Sequence, residues 1–373
     1  MKNKSNKSNQ NSNPNLRIPG PVPIPEEILE IVGRQMINHR GPEYAKMLDR
    51  MTGNLKSVFF TKNDAYFITA SGTGAMESAI ANTIEKNDNV LSIIIGAFGD
   101  RFAEIAESYG ANVTRLEFSL GTAADLEKVK SSIKSIKNLR AVIFTHNESS
   151  TGVTNKLKEI CEIIHNESDA LILVDAVSSA GGIPIYVDKW GIDVVATASQ
   201  KSWVAPPGIS MLTVSKKAWK RSKKISTPKY YFDFQQYEDY LQMGQPPFTP
   251  ALSVMYALDF SLEKILSEGM DQVFKRHSDI ADYTRKKATE FKLEILPNID
   301  VASNTVTAIK LPENIDGVKF ISEVKNKFNV ILGGGQKTLT GKIFRIGHMG
   351  WVYEKDIDEA LNASNEIIKK MSV

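Results

Sequence analysis

The chain has 373 residues, 42% of them hydrophobic and 24% charged, with a formal net charge of +3. Such a length exceeds one ordinary hydrophobic core, so two domains are expected, and so small a charge excess gives no argument for a nucleic-acid or membrane partner. The single cysteine, Cys161, excludes an internal disulfide and any multi-thiolate zinc site.

The N-terminal stretch MKNKSNKSNQNSNPN is Asn, Ser and Lys without an apolar run. It has no secretory-signal core, and its polarity predicts a disordered tail over residues 1–16. No segment reaches the ~18 continuous apolar residues of a membrane span, and a cytoplasmic location is expected. In IPGPVPIPEEILEIVGRQM the alternating prolines force an extended arm, because each fixes φ and lacks a donor. Pro25 is then expected in the first turn of a helix whose N-terminus suits Glu26 and Glu27.

From about residue 66, β-rich runs alternate with amphipathic stretches: YFITAS, NVLSIIIG, NVTRLEF, AVIFTH, LILVDAV, DVVATAS and ISMLTVS. This alternation predicts an α/β unit built on a mainly parallel sheet. LILV and SIII lack period-2 alternation, as strands buried on both faces do. The last two runs stand too close for a helical crossover, so one pairing there is expected to be antiparallel. Cys161 falls in KLKEICEII, whose spacing reads as an amphipathic helix with a buried thiol. The texture changes near residue 266: a long polar helix, DQVFKRHSDIADYTRKKATEFK, precedes TVTAIKL, GVKFISEVKNKF, NVILG and IFRIG, which alternate strand and helix. The expected division is an arm and large domain over 17–265 and a small α+β domain over 266–373.

Three motifs carry chemistry. In ASGTGAMESAIAN, Ala70 to Asn82, a strand runs into Ser-Gly-Thr-Gly and a helix. Glycines admit close backbone approach, and a helix N-terminus offers free N–H groups to an anion; a plain capping turn would look the same. Glu77 stands where the dinucleotide fingerprint needs its third glycine, and no Lys-Ser/Thr follows as a Walker loop requires. Asp175 ends the most apolar strand, where α/β proteins bind ligands, though an N-cap would sit there too. Lys201, in ATASQKSW, ends the next β-rich run. An amine there is partly desolvated and nucleophilic toward carbonyls, unless a carboxylate pairs it. Phosphate cradle, strand-end Asp and later strand-end Lys together match the demands of pyridoxal 5'-phosphate: an amine to form the Schiff base, a carboxylate to keep the pyridine nitrogen protonated, and a turn to hold the phosphate.

The chain resembles the class V aminotransferases, specifically the alanine–glyoxylate and serine–glyoxylate (serine–pyruvate) group. The carriers are PGPVPIPEEI, HRGPEY, SGTGAMESAI, GAFGDRFAEIA, HNESSTGV, VDAVSSAGGIPI, ASQKSWVAPPG and RIGHMG, over roughly residues 17–370. The resemblance implies the fold type I architecture of pyridoxal-phosphate enzymes: a large seven-stranded domain, a small C-terminal domain and a homodimer with shared active sites. It implies Lys201 as the Schiff-base lysine and Asp175 as the ring-nitrogen partner. Thr73, Gly74 and Ala75 would contact the phosphate, with Gln200 adding its side chain. Ser150 would lie near the ring hydroxyl or the aspartate, Phe98 would stack on one ring face and Val177 on the other. Thr249 would reach the phosphate of the neighbouring subunit, Arg345 would bind the substrate α-carboxylate, and Gly20 would border the substrate. His146 is expected behind the cofactor rather than over it, while His348 either borders the substrate or packs beside Arg345.

Two positions depart from the family pattern. QMGQPPFTPAL lacks the tyrosine that many relatives carry before the threonine, with Gln245 or its neighbours in its place, and Phe98 stands where tryptophan is common. The implied reaction moves an amino group from alanine or serine to a 2-oxo acid such as glyoxylate or pyruvate. Aspartate, ureidoglycine or a phosphonate amine remain alternative donors. A cysteine desulfurase would need an exposed, mobile cysteine, and Cys161 is expected mid-helix. A subunit that has lost turnover is disfavoured by the retained Lys201, Asp175 and Arg345.

Overall fold

The computed structural model describes residues 13–372. Its main sheet has seven strands, in the spatial order Asp64–Ile68, Ser210–Val214, Val194–Ala198, Leu171–Asp175, Leu139–Thr145, Asn89–Ile94 and Asn112–Glu117. Every pairing from Val194–Ala198 outward to Asn112–Glu117 is parallel. Ser210–Val214 runs antiparallel to both its neighbours, which is the reversal that the short preceding connection required. The chain is an α/β protein with a mostly parallel sheet, as its strand–helix alternation predicts.

The apolar runs hide a period of two. Along Leu171–Asp175 every residue is buried. Ile172 and Val174 feed one hydrophobic core, Leu171 and Leu173 a second one on the opposite face. Helices cover both faces, so neither side of the strand needs polar residues. Helix starts follow local chemistry: Asp125 accepts a 2.9 Å hydrogen bond from the Lys128 amide and opens the helix Leu126–Ser135. The first helix begins at Glu26, with Pro25 as its N-cap at ψ 151°, one position before the first turn expected for it. Pro25 thereby keeps the extended conformation of the arm that precedes it.

A second sheet has the order Asn15–Arg17, Val330–Gly334, Ile343–Gly347, Val306–Lys310. The helices Met270–Glu290, Gly317–Phe328 and Glu354–Met371 pack against it around their own core. Asn15–Arg17 pairs in parallel with Val330–Leu332, so Asn15 and Leu16 are ordered and correct the expected tail. A ladder uses backbone groups whatever the side chains, and Asn15 adds a 2.8 Å bond from its side-chain amide to the Asp356 carbonyl. Residues 1–12 of that tail lie outside the described residues. Among the described residues no helix is long and apolar enough to cross a membrane.

Candidate active site

Four parallel strands end beside one cavity of about 130 Å³. The Leu171–Asp175 strand delivers Asp175, the Val194–Ala198 strand leads to Gln200 and Lys201, and the strands Asp64–Ile68 and Asn89–Ile94 lead to the turns before Thr73 and Phe98. All these residues line the cavity, and Val177 with them. The C-terminal edge of a parallel sheet is where such folds bind ligands.

Asp175 is buried, and its carboxylate accepts hydrogen bonds from the Val177 amide at 2.9 Å and from the Thr145 hydroxyl at 3.0 Å. Thr145 stands opposite Asp175 in the parallel register, one strand over. Burial raises the acid to about 6, against those two donors and the nearby Lys201 charge. Lys201 is also buried, and burial lowers its ammonium to about 8, with Asp175 working in the other direction and Arg345 adding to the fall. Its Nζ donates to the Pro19 carbonyl in the arm. Gly20 lies directly on the lysine: a Cβ at Gly20 would stand 2.7 Å from Nζ and 2.6 Å from Cδ, and its φ of +104° disfavours any side chain. The arm leaves the lysine by a 3.1 Å bond from the Val22 amide to the Gln200 carbonyl.

The Gly72–Thr83 helix has Ser71 as N-cap without a side-chain cap hydrogen bond. The Ala75 amide already donates to the Ser71 carbonyl at 3.2 Å. That leaves the amides of Gly72, Thr73 and Gly74 without an intrahelical acceptor, whereas the Ala75 N–H closes the first helical bond. Neither Gly74 nor Ala75 borders the cavity, whereas Gly72, Ser71 and Met76 do. A Cβ on Gly72 would stand 2.7 Å from the Val177 Cγ2, so glycine lets this turn approach the Asp175 strand end.

Ser150 does not reach the cavity; Ser149 does. The Ser150 hydroxyl donates to Glu148 Oε1 at 2.5 Å and accepts from the Ala97 amide at 3.0 Å. Glu148, which the sequence reading passed over, is wholly buried at the start of the Ala97–Ser108 helix. Its Oε2 accepts from the amides of Phe98 at 2.9 Å and Gly99 at 3.1 Å. Burial holds this carboxyl above its usual range, opposed by those three donors and by the Ser150 amide, which donates to Oε1 at 3.1 Å. Glu148 thereby fixes the backbone that presents Phe98. Arg101, also unforeseen, lines the cavity one helical turn beyond Phe98. The signal for both lay in HNESSTG and GAFGDRF, an acid and a base inside motifs otherwise read for their neighbours.

Arg345 stands one residue back from the cavity. Its Nη1 donates to the Ser149 carbonyl and its Nε to the Gly334 carbonyl, each at 2.8 Å. Burial lowers its pKa to about 10, against the attraction of Glu148. Thr249 is exposed and does not border this cavity. The Gln245 side chain accepts a 3.0 Å bond from Arg40. His146 is buried behind Asp175, whose carbonyl accepts from its amide at 2.9 Å, and burial lowers the ring to about 3, so it is neutral. His348 is buried with Nε2 2.9 Å from the Thr307 hydroxyl, which sets it into the second sheet. Cys161 is fully buried in the Leu157–Glu167 helix, remote from this edge of the sheet.

This donor set suits a phosphorylated pyridine aldehyde: free helix amides for the phosphate, a buried carboxylate with spare lone pairs for the ring nitrogen, an aromatic ring, and a buried amine of lowered basicity. The fold and site therefore define a pyridoxal-phosphate enzyme of the α/β type. The Aminotransferase class-V profile matches residues 29–352, and the chain belongs to that family. It is 41% identical to an uncharacterized aminotransferase of Methanocaldococcus jannaschii, over 95% of this chain and 93% of the other. It is 32% identical to the serine–glyoxylate aminotransferase of Arabidopsis thaliana, over 95% of this chain and 90% of the other. The crystal structure of an alanine–glyoxylate aminotransferase from Nostoc superposes with a TM-score of 0.92 at 28% identity, covering 95% of each chain.

Proposed function

We propose that the chain transfers the amino group of alanine or serine to a 2-oxo acid such as glyoxylate or pyruvate. Bound pyridoxal phosphate supplies the electron sink for that exchange. The observation that carries the reading is the buried pair at one cavity: an amine lowered to about 8 and a carboxyl raised to about 6. Groups displaced toward neutrality are those able to exchange protons at ordinary pH. In this reading Lys201, once free, is the base that takes the proton from the substrate Cα and the acid that gives it back. Asp175 holds the proton at the pyridine nitrogen. Phe98 and Val177 orient the ring between them, and the amides at Thr73 and Gly74 hold the phosphate, with Gln200 beside them. Arg345 turns its guanidinium fork to the α-carboxylate. The Gly20 turn shields the amine from bulk water.

The chain is also proposed to work as a homodimer in which Thr249 meets the partner's phosphate. Its exposure, and that of nearby Tyr230 and Met243 at 72% and 56%, supports this.

The test is borohydride reduction of the cofactor-loaded chain followed by peptide mapping, with amino donors then screened against glyoxylate, pyruvate and 2-oxoglutarate. The expected result is a pyridoxyl label on Lys201, lost in Lys201→Ala together with transamination. A label elsewhere, or ordinary turnover by Lys201→Ala, overturns the assignment.

A further inference from the structure

Arg101 is a cation without an assigned task. It stands on the Ala97–Ser108 helix, faces the cavity, and pairs with no carboxylate among the described residues. Its acidic neighbours are engaged elsewhere: Asp100 with Arg115 and Lys337, Glu104 with Lys337. Two contacts aim it. Its guanidinium carbon lies 4.9 Å from the centre of the Phe98 ring, and Nη1 donates to the Thr73 hydroxyl at 3.4 Å. Thr73 belongs to the first turn of the Gly72–Thr83 helix, where the unbonded amides are. The guanidinium is thus brought from one helix to the N-terminus of the next.

A phosphate monoester carries a charge of about −1.5 to −2 at neutral pH. The first turn of Gly72–Thr83 contains no basic side chain. Of the cavity-lining residues only Lys201 and Arg101 are cationic, and Lys201 is committed to the aldehyde end of the cofactor. Helix amides alone supply roughly half a positive charge. Arginine is suited to completing such a site, because its planar fork meets phosphate oxygens with paired N–H donors.

We propose that Arg101 binds the phosphate group of pyridoxal phosphate, pivoting from the Thr73 hydroxyl. This rests on the reading of the cavity as a pyridoxal-phosphate site and adds to it the residue that balances the phosphate charge.

The experiment measures equilibrium binding of pyridoxal phosphate, and of pyridoxal without its phosphate, to the cofactor-stripped protein and its Arg101→Gln and Arg101→Lys variants. Loss of a charge-assisted bond predicts about a ten- to hundredfold weaker affinity of Arg101→Gln for pyridoxal phosphate. Affinity for pyridoxal should not change, and Arg101→Lys should recover part of the loss. A merely structural arginine would weaken both ligands equally, and that result overturns the proposal. So does unchanged pyridoxal-phosphate affinity, including the case where only dicarboxylic donors bind worse, since Arg101 would then face the substrate. Borohydride labelling of the unmodified chain separates the two levels. A label on Lys201 with unaltered binding by Arg101→Gln removes this inference alone, whereas absence of any label removes the cavity reading beneath it.

Discussion

The lysine's basicity should govern how fast the protein captures its cofactor. Only the neutral amine attacks an aldehyde. With Lys201 lowered from 10.5 to about 8, roughly one molecule in ten carries the neutral amine at pH 7, about three-hundredfold more than for an ordinary lysine. The rate at which cofactor-stripped protein takes up pyridoxal phosphate should therefore rise about tenfold per pH unit below 8 and level off above it. Asp175→Asn adds a second sign. Its negative charge raises the Lys201 pKa, so removing it should move the midpoint below 8 and speed capture at pH 7. The same substitution should slow transamination by orders of magnitude, because a neutral amide does not hold the ring-nitrogen proton. Stopped-flow absorbance follows capture, and a coupled keto-acid assay follows turnover. A capture midpoint near 10, or a rise of midpoint in Asp175→Asn, would refute the picture of a desolvated lysine beside a carboxylate.

Arg345→Ala should weaken amino acid and 2-oxo acid binding by about 1.5–3 kcal/mol, read as a raised KM, while pyridoxal-phosphate affinity stays within twofold. Equal losses for carboxylate and decarboxylated substrates would move the carboxylate site elsewhere. Cys161 is fully buried and its thiol is pushed upward in pKa by burial. Native protein should resist thiol reagents until unfolded, and sulfur release from cysteine should be undetectable; rapid labelling at pH 8 would contradict that burial. Light scattering should give a dimer mass, and Thr249→Ala should weaken cofactor binding without altering that mass; a fully active monomer would refute a shared site.

The parts of the site that were legible in the sequence share one cause. Asp175 closes an uninterrupted apolar run, and Lys201 stands three positions past the mostly apolar strand Val194–Ala198; each run marks a strand covered on both faces, so its end is a defined place in the fold. Thr145 could have been read likewise, since AVIFTH ends in register beside Asp175. What escaped depends on contacts between distant segments. Glu148 reaches the Phe98 amide 50 positions away, Arg101 reaches Thr73 across 28, and the Lys201 amine meets the Pro19 carbonyl across 182. The setting of Ser150 was hidden for a related reason. A serine beside a buried acid is claimed by that acid, and a linear reading of ESSTG does not reveal which serine faces outward. Asn15–Arg17 was missed because a strand of three residues, Asn-Leu-Arg, is too short to carry a periodic signal.

The arm from Asn15 to Val22 ties two parts of the molecule into one linkage. At one end it is the outer strand of the four-stranded sheet; a few residues later its backbone carbonyl holds the Lys201 amine, and then it is fastened to Gln200. A rotation of that outer sheet relative to the seven-stranded one must pull on this leash. The chemistry of the amine and the posture of the sheet that carries Arg345 are therefore mechanically coupled through a segment that contributes no reactive side chain of its own.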